Sequence, residues 1–231
     1  VMWGRSLYRN IQRFILFQMT INVAACLIVL IGAFLGTESP LTVTQMLWVN
    51  LIMDTFAAMA LASLPPTMDV MKQQPRRRED FIVTRDMWFG IIGMGVLFTA
   101  LLTALVVVFQ HSTFGPAGSE SLLQFAWSDT PHELTLYQKS VFFTFFVMLQ
   151  YWNMFNAKSF YTGHSAFRQM SESKGFLSVM GIILGGQVLI VSIGGPMFSV
   201  TPLCLTDWLI IIGVTSLVLI GGEIKRAFSR K

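Results

Sequence analysis

Apolar residues in this chain neither alternate with polar ones nor recur once per helical turn. They run on for about twenty positions at a time, the length that carries a helix across a roughly 30 Å hydrocarbon core. Such runs fall at about 14–36, 43–64, 88–110, 137–157, 176–198 and 203–222, and they predict an all-α integral membrane protein, a six-transmembrane-helix bundle. The fourth run is the least uniform. Its apolar centre, Val141 to Leu149, is soon interrupted by Gln150, Asn153 and Asn156, and polar groups inside a span need partners in the bundle. It is therefore expected to line the interior. Pro40 in the tight connection 37–42 makes the first two helices a hairpin of neighbours, while Pro65 and Pro66 stop the second helix and begin the connection 65–87. The connection 111–136 is rich in Gly, Ser and Pro. Gly32 with Gly36, and Gly181 with Gly185, are spaced four apart and predict close helix packing. No repeat of fixed period and no inverted three-plus-three symmetry is evident.

Composition agrees with the pattern. Of 231 residues 54% are hydrophobic and 12% charged, about half the charged share of an ordinary soluble domain. The net charge of +4 raises nucleic acid as a partner, but the charges lie almost wholly between the apolar runs, which speaks against it. Their placement sets orientation instead. Fifteen of the 16 basic residues collect on one side, in the segments around Arg5–Arg13, Lys72–Arg85, Lys158–Lys174 and Lys225–Lys231. Only Lys139 lies on the other, beside a loop with Glu120, Asp129 and Glu133. Cytoplasmic loops gather positive charge, so both termini are expected in the cytoplasm. The start Val1-Met-Trp-Gly-Arg5 has no signal-peptide pattern and reads as the continuation of an earlier segment. Cys26 and Cys204 are too few for a disulfide framework and are expected to be packing residues. His111, His132 and Glu133 lack zinc spacing and read as a solvated loop. Arg76-Arg77-Arg78 reads as an anchor at the lipid surface, and 225–231 is too short for a calmodulin-type helix.

Chemistry concentrates at one acid. Eleven of the 12 acidic residues sit in loops or at membrane edges; Asp54 lies well inside an apolar run. An intramembrane carboxylate costs a few kcal/mol at least, and persists where it faces a partner, a cavity or an ion. Asn50 lies one turn earlier on the same helix face, and Gln18 and Asn22 share a face of the first span. An amide network gluing the bundle accounts for the asparagines alone. With Asp54 added, the candidate metal ligands are Asn22, Asn50 and Asp54, an all-oxygen set suited to calcium or another hard cation.

These residues carry a resemblance. Gln45-Met-Leu-Trp-Val-Asn50-Leu-Ile-Met-Asp54-Thr55 resembles the sixth transmembrane helix of calcium-transporting P-type ATPases. Val1-Met-Trp-Gly-Arg5 with Phe17-Gln-Met-Thr-Ile-Asn-Val23 resembles the stalk and fifth helix, particularly of the plasma-membrane calcium pump branch. The Pro65-Pro66-Thr67 loop start and Gln150, Asn153 and Asn156 fit the same branch, and the similarity covers essentially the whole chain. The resemblance implies that residues 1–231 form the C-terminal transmembrane domain, helices five to ten, of such a pump in a plasma membrane. Helices one to four and the phosphorylation, nucleotide-binding and actuator domains would be supplied by the missing N-terminal part. Asn50 and Asp54 then match sixth-helix ligands of the calcium site, and Asn22 the fifth-helix asparagine. Where the two-calcium pumps carry further ligands, this chain has Ala25, Met53 and Gln150. One calcium per cycle follows, and an emptied intramembrane carboxyl is expected to take a proton, giving proton counter-transport. The 65–87 loop would touch the phosphorylation domain. Such a pump uses MgATP, but no phosphate-cradling loop occurs here, so this chain alone is expected to be non-catalytic. The rival reading is a self-contained cation channel or secondary transporter working through Asp54; a purely structural membrane subunit would leave Asp54 unexplained.

Overall fold

A computed structural model describes residues 1–34, 39–72, 81–160, 162, 164–168 and 170–228, with Ile52 described by its backbone only. The expectations for Gly36, for Arg76–Arg78, for positions 37 and 38 of the 37–42 turn and for positions 229–231 of the tail lie outside those residues. Helices α1 (Met2–Phe34), α2 (Val43–Ala62), α3 (Arg85–Gln110), α4 (Leu136–Lys158), α5 (Lys174–Ile193) and α6 (Leu205–Phe228) account for the fold. Beside them stands one antiparallel pair of two-residue strands, β1 (Ser112–Thr113) and β2 (Ala126–Trp127), in the 111–136 connection. All but α4 are long and apolar enough to cross a membrane.

α4 is long enough, since 23 residues rise about 35 Å, but it is less apolar. The reason is position. Seventeen of its residues are buried, and it touches α1, α3, α5 and both halves of α6, so it is the axis of the bundle and needs little lipid-compatible surface. Phe142, Phe143 and Phe146 are fully buried there. The polar positions of α4 are used as glue more than as lining. Trp152 Nε1 donates to Thr215 Oγ1 at 3.1 Å, and Asn156 Nδ2 to the Val218 carbonyl at 3.1 Å, both across to α6. That carbonyl lies beside the Ser216 break, where α6 divides into Leu205–Thr215 and Leu217–Phe228.

Several boundaries differ from the sequence pattern for identifiable reasons. The apolar run extends to 198, but α5 stops at Ile193, because Gly194-Gly195-Pro196 follows and Gly195 has φ +47°. α1 begins at Met2 and is about 50 Å long, so its first turns project beyond the apolar region. There its side chains hold the 65–87 connection against it. Arg5 Nη1 donates to Val70 O, Asn10 Nδ2 to Leu64 O and Gln12 Nε2 to Ile82 O. At the opposite end, Thr42 with Gln45 and Thr135 with Gln138 form capping boxes, and the same glutamines reach Phe198 O, and Phe109 O with Ser112 O.

Two packing expectations are corrected. A Cβ on Gly181 or Gly185 would meet nothing within 4 Å; α5 approaches its neighbours through Gly175 and Gly186, the latter against Trp48. The tight α1–α3 crossing uses Gly95, where a Cβ would lie 2.7 Å from Val23 Cγ1. Cys26 is exposed, on the same outward stripe as Val29 and Leu30, and Cys204 is exposed just before α6, so neither is a packing residue.

Candidate functional site

α2 is not a uniform α-helix. Val43–Leu47 is α-helical, Trp48–Met53 is π-helical and Asp54–Ala62 is α-helical again. The Asp54 N–H donates to Val49 O, five residues back, which is the π pattern. π turns are rare and concentrate at functional sites. This one contains Asn50 and ends at Asp54. Around it the helix is held on one side by Trp48 Nε1, which donates to Gln187 Oε1 of α5 at 3.1 Å.

Asp54 is buried, with 6% of its surface exposed. Its Oδ2 accepts a single long hydrogen bond, from Gln18 Nε2 of α1 at 3.4 Å, and its Oδ1 is buried with no partner among the described residues. The other deeply buried carboxylate provides the contrast. Asp207, in the first turn of α6, is fully buried and accepts from Ser121 Oγ at 2.9 Å, the Leu122 N–H at 2.9 Å and Tyr137 Oη at 2.7 Å. Asp207 is a finished structural contact, whereas Asp54 keeps an unused oxygen in a place where leaving one costs free energy.

Of the other two sequence-derived ligands, Asn22 is half-buried and Asn50 is exposed. No hydrogen bond joins either to Asp54 among the described residues; the three oxygens do not form a closed cage. Gln18 makes the contact from α1, one helical turn before Asn22. Its sharing a face with Asn22 was readable, but its reach to Asp54 depended on how α1 and α2 cross. Ala25 and Met53 are buried apolar residues close by in sequence to Asn22 and Asp54. Gln150 of α4 is fully buried, and neither its Oε1 nor its Nε2 has a partner among the described residues.

The histidines of the 111–136 connection serve its folding. His111 stacks on Trp127 with ring centroids 5.6 Å apart, and His132 lies within hydrogen-bond distance of the carbonyls of Ser112 and Glu133.

The fold is thus a helical membrane bundle that holds a half-satisfied carboxylate beside a π turn, and sequence comparison gives its family. The profile of the family described as "Cation transporting ATPase, C-terminus" matches residues 38–228, and the chain belongs to that family. It is 36% identical over 220 residues to plasma membrane calcium-transporting ATPase 3 of Homo sapiens, covering 94% of this chain and 17% of that protein. It is 37% identical over 222 residues to putative calcium-transporting ATPase 11, plasma membrane-type, of Arabidopsis thaliana, covering 95% of this chain and 20% of that protein. Probable calcium-transporting ATPase 8, plasma membrane-type, of Oryza sativa subsp. japonica is 34% identical over 222 residues, 96% of this chain and 20% of its own length. The chain thus spans about a fifth of the length of these relatives.

Proposed function

We propose that residues 1–231 are the ion-binding membrane domain of an ATP-driven calcium export pump of the plasma membrane, crossing six times with both termini cytoplasmic. The observation that carries this reading is the state of Asp54: a buried carboxylate at the end of a π turn with one oxygen unclaimed. Calcium takes roughly six to eight oxygens, some of them charged. Asp54 supplies the charge, and Asn22 and Asn50 supply neutral carbonyl oxygens. The exposure of Asn50 supports a site completed by pump segments outside this chain, which also carry the MgATP chemistry. The π turn contains the amide residue Asn50 and ends at the carboxylate Asp54 without breaking the helix at a proline or glycine.

In this reading one calcium occupies the site per cycle. Ala25 carries no side-chain oxygen, the Met53 thioether is a soft ligand, and the Gln150 amide is neutral, so a second dication has no carboxylate of its own. After calcium leaves, Asp54 accepts a proton and carries it back. The names of the relatives, all calcium-transporting ATPases of plasma membrane type, support calcium as the cargo and the plasma membrane as the location.

The test is Asp54→Asn in the complete pump. The substitution keeps shape and removes the negative charge, so calcium-dependent phosphorylation by ATP is expected to be lost while the amount of membrane-inserted protein stays unchanged. Undiminished calcium affinity in the variant would remove Asp54 from the site and sink the proposal.

A further inference from the structure

The basic end of the bundle contains a small cavity remote in function from Asp54. It occupies about 70 Å³ between the lower part of α1, the start of the 65–87 connection and the 159–173 connection. One water needs only about 10–15 Å³ by the same kind of measure, so a four-oxygen group fits. Arg13 and Lys158 line it and are each more than nine-tenths buried; Arg168 stands exposed at the mouth. Ser159, Thr162 and Ser165 add hydroxyls.

Two buried cations in one cavity demand an explanation, because a buried charge is normally paired. Lys158 is accounted for: its Nζ donates to Ala166 O at 3.2 Å and Arg168 O at 3.3 Å, and lies 5.4 Å from the Phe176 ring centre. Arg13 is not. Its five N–H donors find two acceptors among the described residues, Phe160 O from Nε at 3.4 Å and Asn10 Oδ1 from Nη1 at 3.1 Å. Nη2 has none, and neither acceptor carries a charge. Asp69, the carboxylate on the cavity wall, is half exposed and pairs with Lys72 at 3.4 Å. No carboxylate pairs with Arg13 or Lys158 among the described residues.

We propose that this cavity is an anion site for a phosphate group, bound by the Arg13 guanidinium in the field of the buried Lys158 ammonium, whose own donors go to Ala166 O, Arg168 O and Met170 Sδ, with Arg168 at its entrance. A guanidinium with an open edge meets two phosphate oxygens at once. The same chemistry serves free phosphate or the phosphate of an anionic lipid. This inference does not rest on the calcium reading.

The probe is inorganic phosphate, titrated into the intact full-length protein in detergent against chloride at matched ionic strength, with the thermal midpoint as readout. Two variants are compared with the parent so that phosphate bound elsewhere cancels. Arg168→Gln, at an exposed position, should weaken the phosphate-dependent rise about three- to tenfold in apparent affinity. Arg13→Met, which keeps the apolar stem, should abolish that component. Repeating the titration in phosphatidylcholine nanodiscs with and without phosphatidate identifies the source. Loss of the phosphate response on adding phosphatidate assigns the cavity to a lipid headgroup; an undiminished response assigns it to free phosphate. A parent protein indifferent to phosphate and phosphatidate, or variants that respond as the parent does, would overturn the proposal.

Discussion

Replacing Asp207 should unfasten the 111–136 connection from the bundle, and the structure allows the cost to be apportioned. The carboxylate is fully buried and accepts three hydrogen bonds, but their donors are unequal. Tyr137 is buried, so its hydroxyl has no alternative acceptor when the carboxylate is removed; a bond to a charged group contributes about 1.5–3 kcal/mol. The Leu122 N–H is half-buried and should contribute about 1 kcal/mol. Ser121 can turn toward water and contributes little. Asp207→Ala is therefore expected to cost about 2.5–4 kcal/mol, Asp207→Asn less, and Tyr137→Phe about 1.5–3 kcal/mol. Because Tyr137 and Asp207 share one contact, the double variant Tyr137→Phe with Asp207→Ala should cost little more than Asp207→Ala alone. Two measurements on the intact protein check this: unfolding midpoints in a double-mutant cycle, and hydrogen exchange across 111–136. Exchange should rise in that segment and stay unchanged in α1 and α3. Additive costs, or faster exchange spread evenly through the bundle, would mean that the loop is held by its apolar contacts and not by Asp207.

Two further outcomes are expected. Gly95→Leu should destabilise the α1–α3 crossing by about 1–3 kcal/mol, because its Cβ would fall 2.7 Å from Val23 Cγ1, whereas Gly181→Leu faces open space and should be neutral or slightly stabilising; equal melting shifts for the two would contradict the packing described. Radiolabelled calcium bound to the complete pump, normalised to phosphorylatable enzyme, should level off at one ion with a Hill coefficient near one; a plateau of two would mean that Ala25, Met53 and Gln150 do not empty the second position.

All six helices were legible because a long apolar run has one physical use, and their ends followed wherever proline, glycine or a capping box stood at the boundary. Thr42 with Gln45 and Thr135 with Gln138 are local signals of that kind. The helix pairs were not legible to the same degree. Spacing glycines four apart marks a smooth stripe, but whether that stripe meets a neighbour depends on the rotation of the helix, which the rest of the bundle decides. Gly181 and Gly185 share their side of α5 with exposed Ile182 and Leu189, while the adjacent Gly186 takes Trp48. Cys26 was misjudged for the same reason.

Asp54 stands out in the sequence as the acid inside an apolar run, yet Asp207, which lies just inside the last helix, is more deeply buried. What separates them is not burial but how many donors reach each carboxylate. That number depends on residues 70 to 86 positions away for Asp207 and 36 away for Asp54, beyond the reach of any local pattern. The same holds for the amides of α4. Asn156 is anchored to the Val218 carbonyl near the break in α6, whereas Gln150, about two turns earlier on the same helix, has no partner among the described residues. Inside such a bundle, a polar side chain becomes structural glue where a neighbouring helix offers a matching atom, and remains available for chemistry where none does. The π turn at Trp48–Met53 belongs to the same logic. It leaves the α-helical ladder beside the carboxylate that lacks partners, and Trp48 and Gln187 tie the helix down there, so that α2 is anchored where its own backbone is least regular.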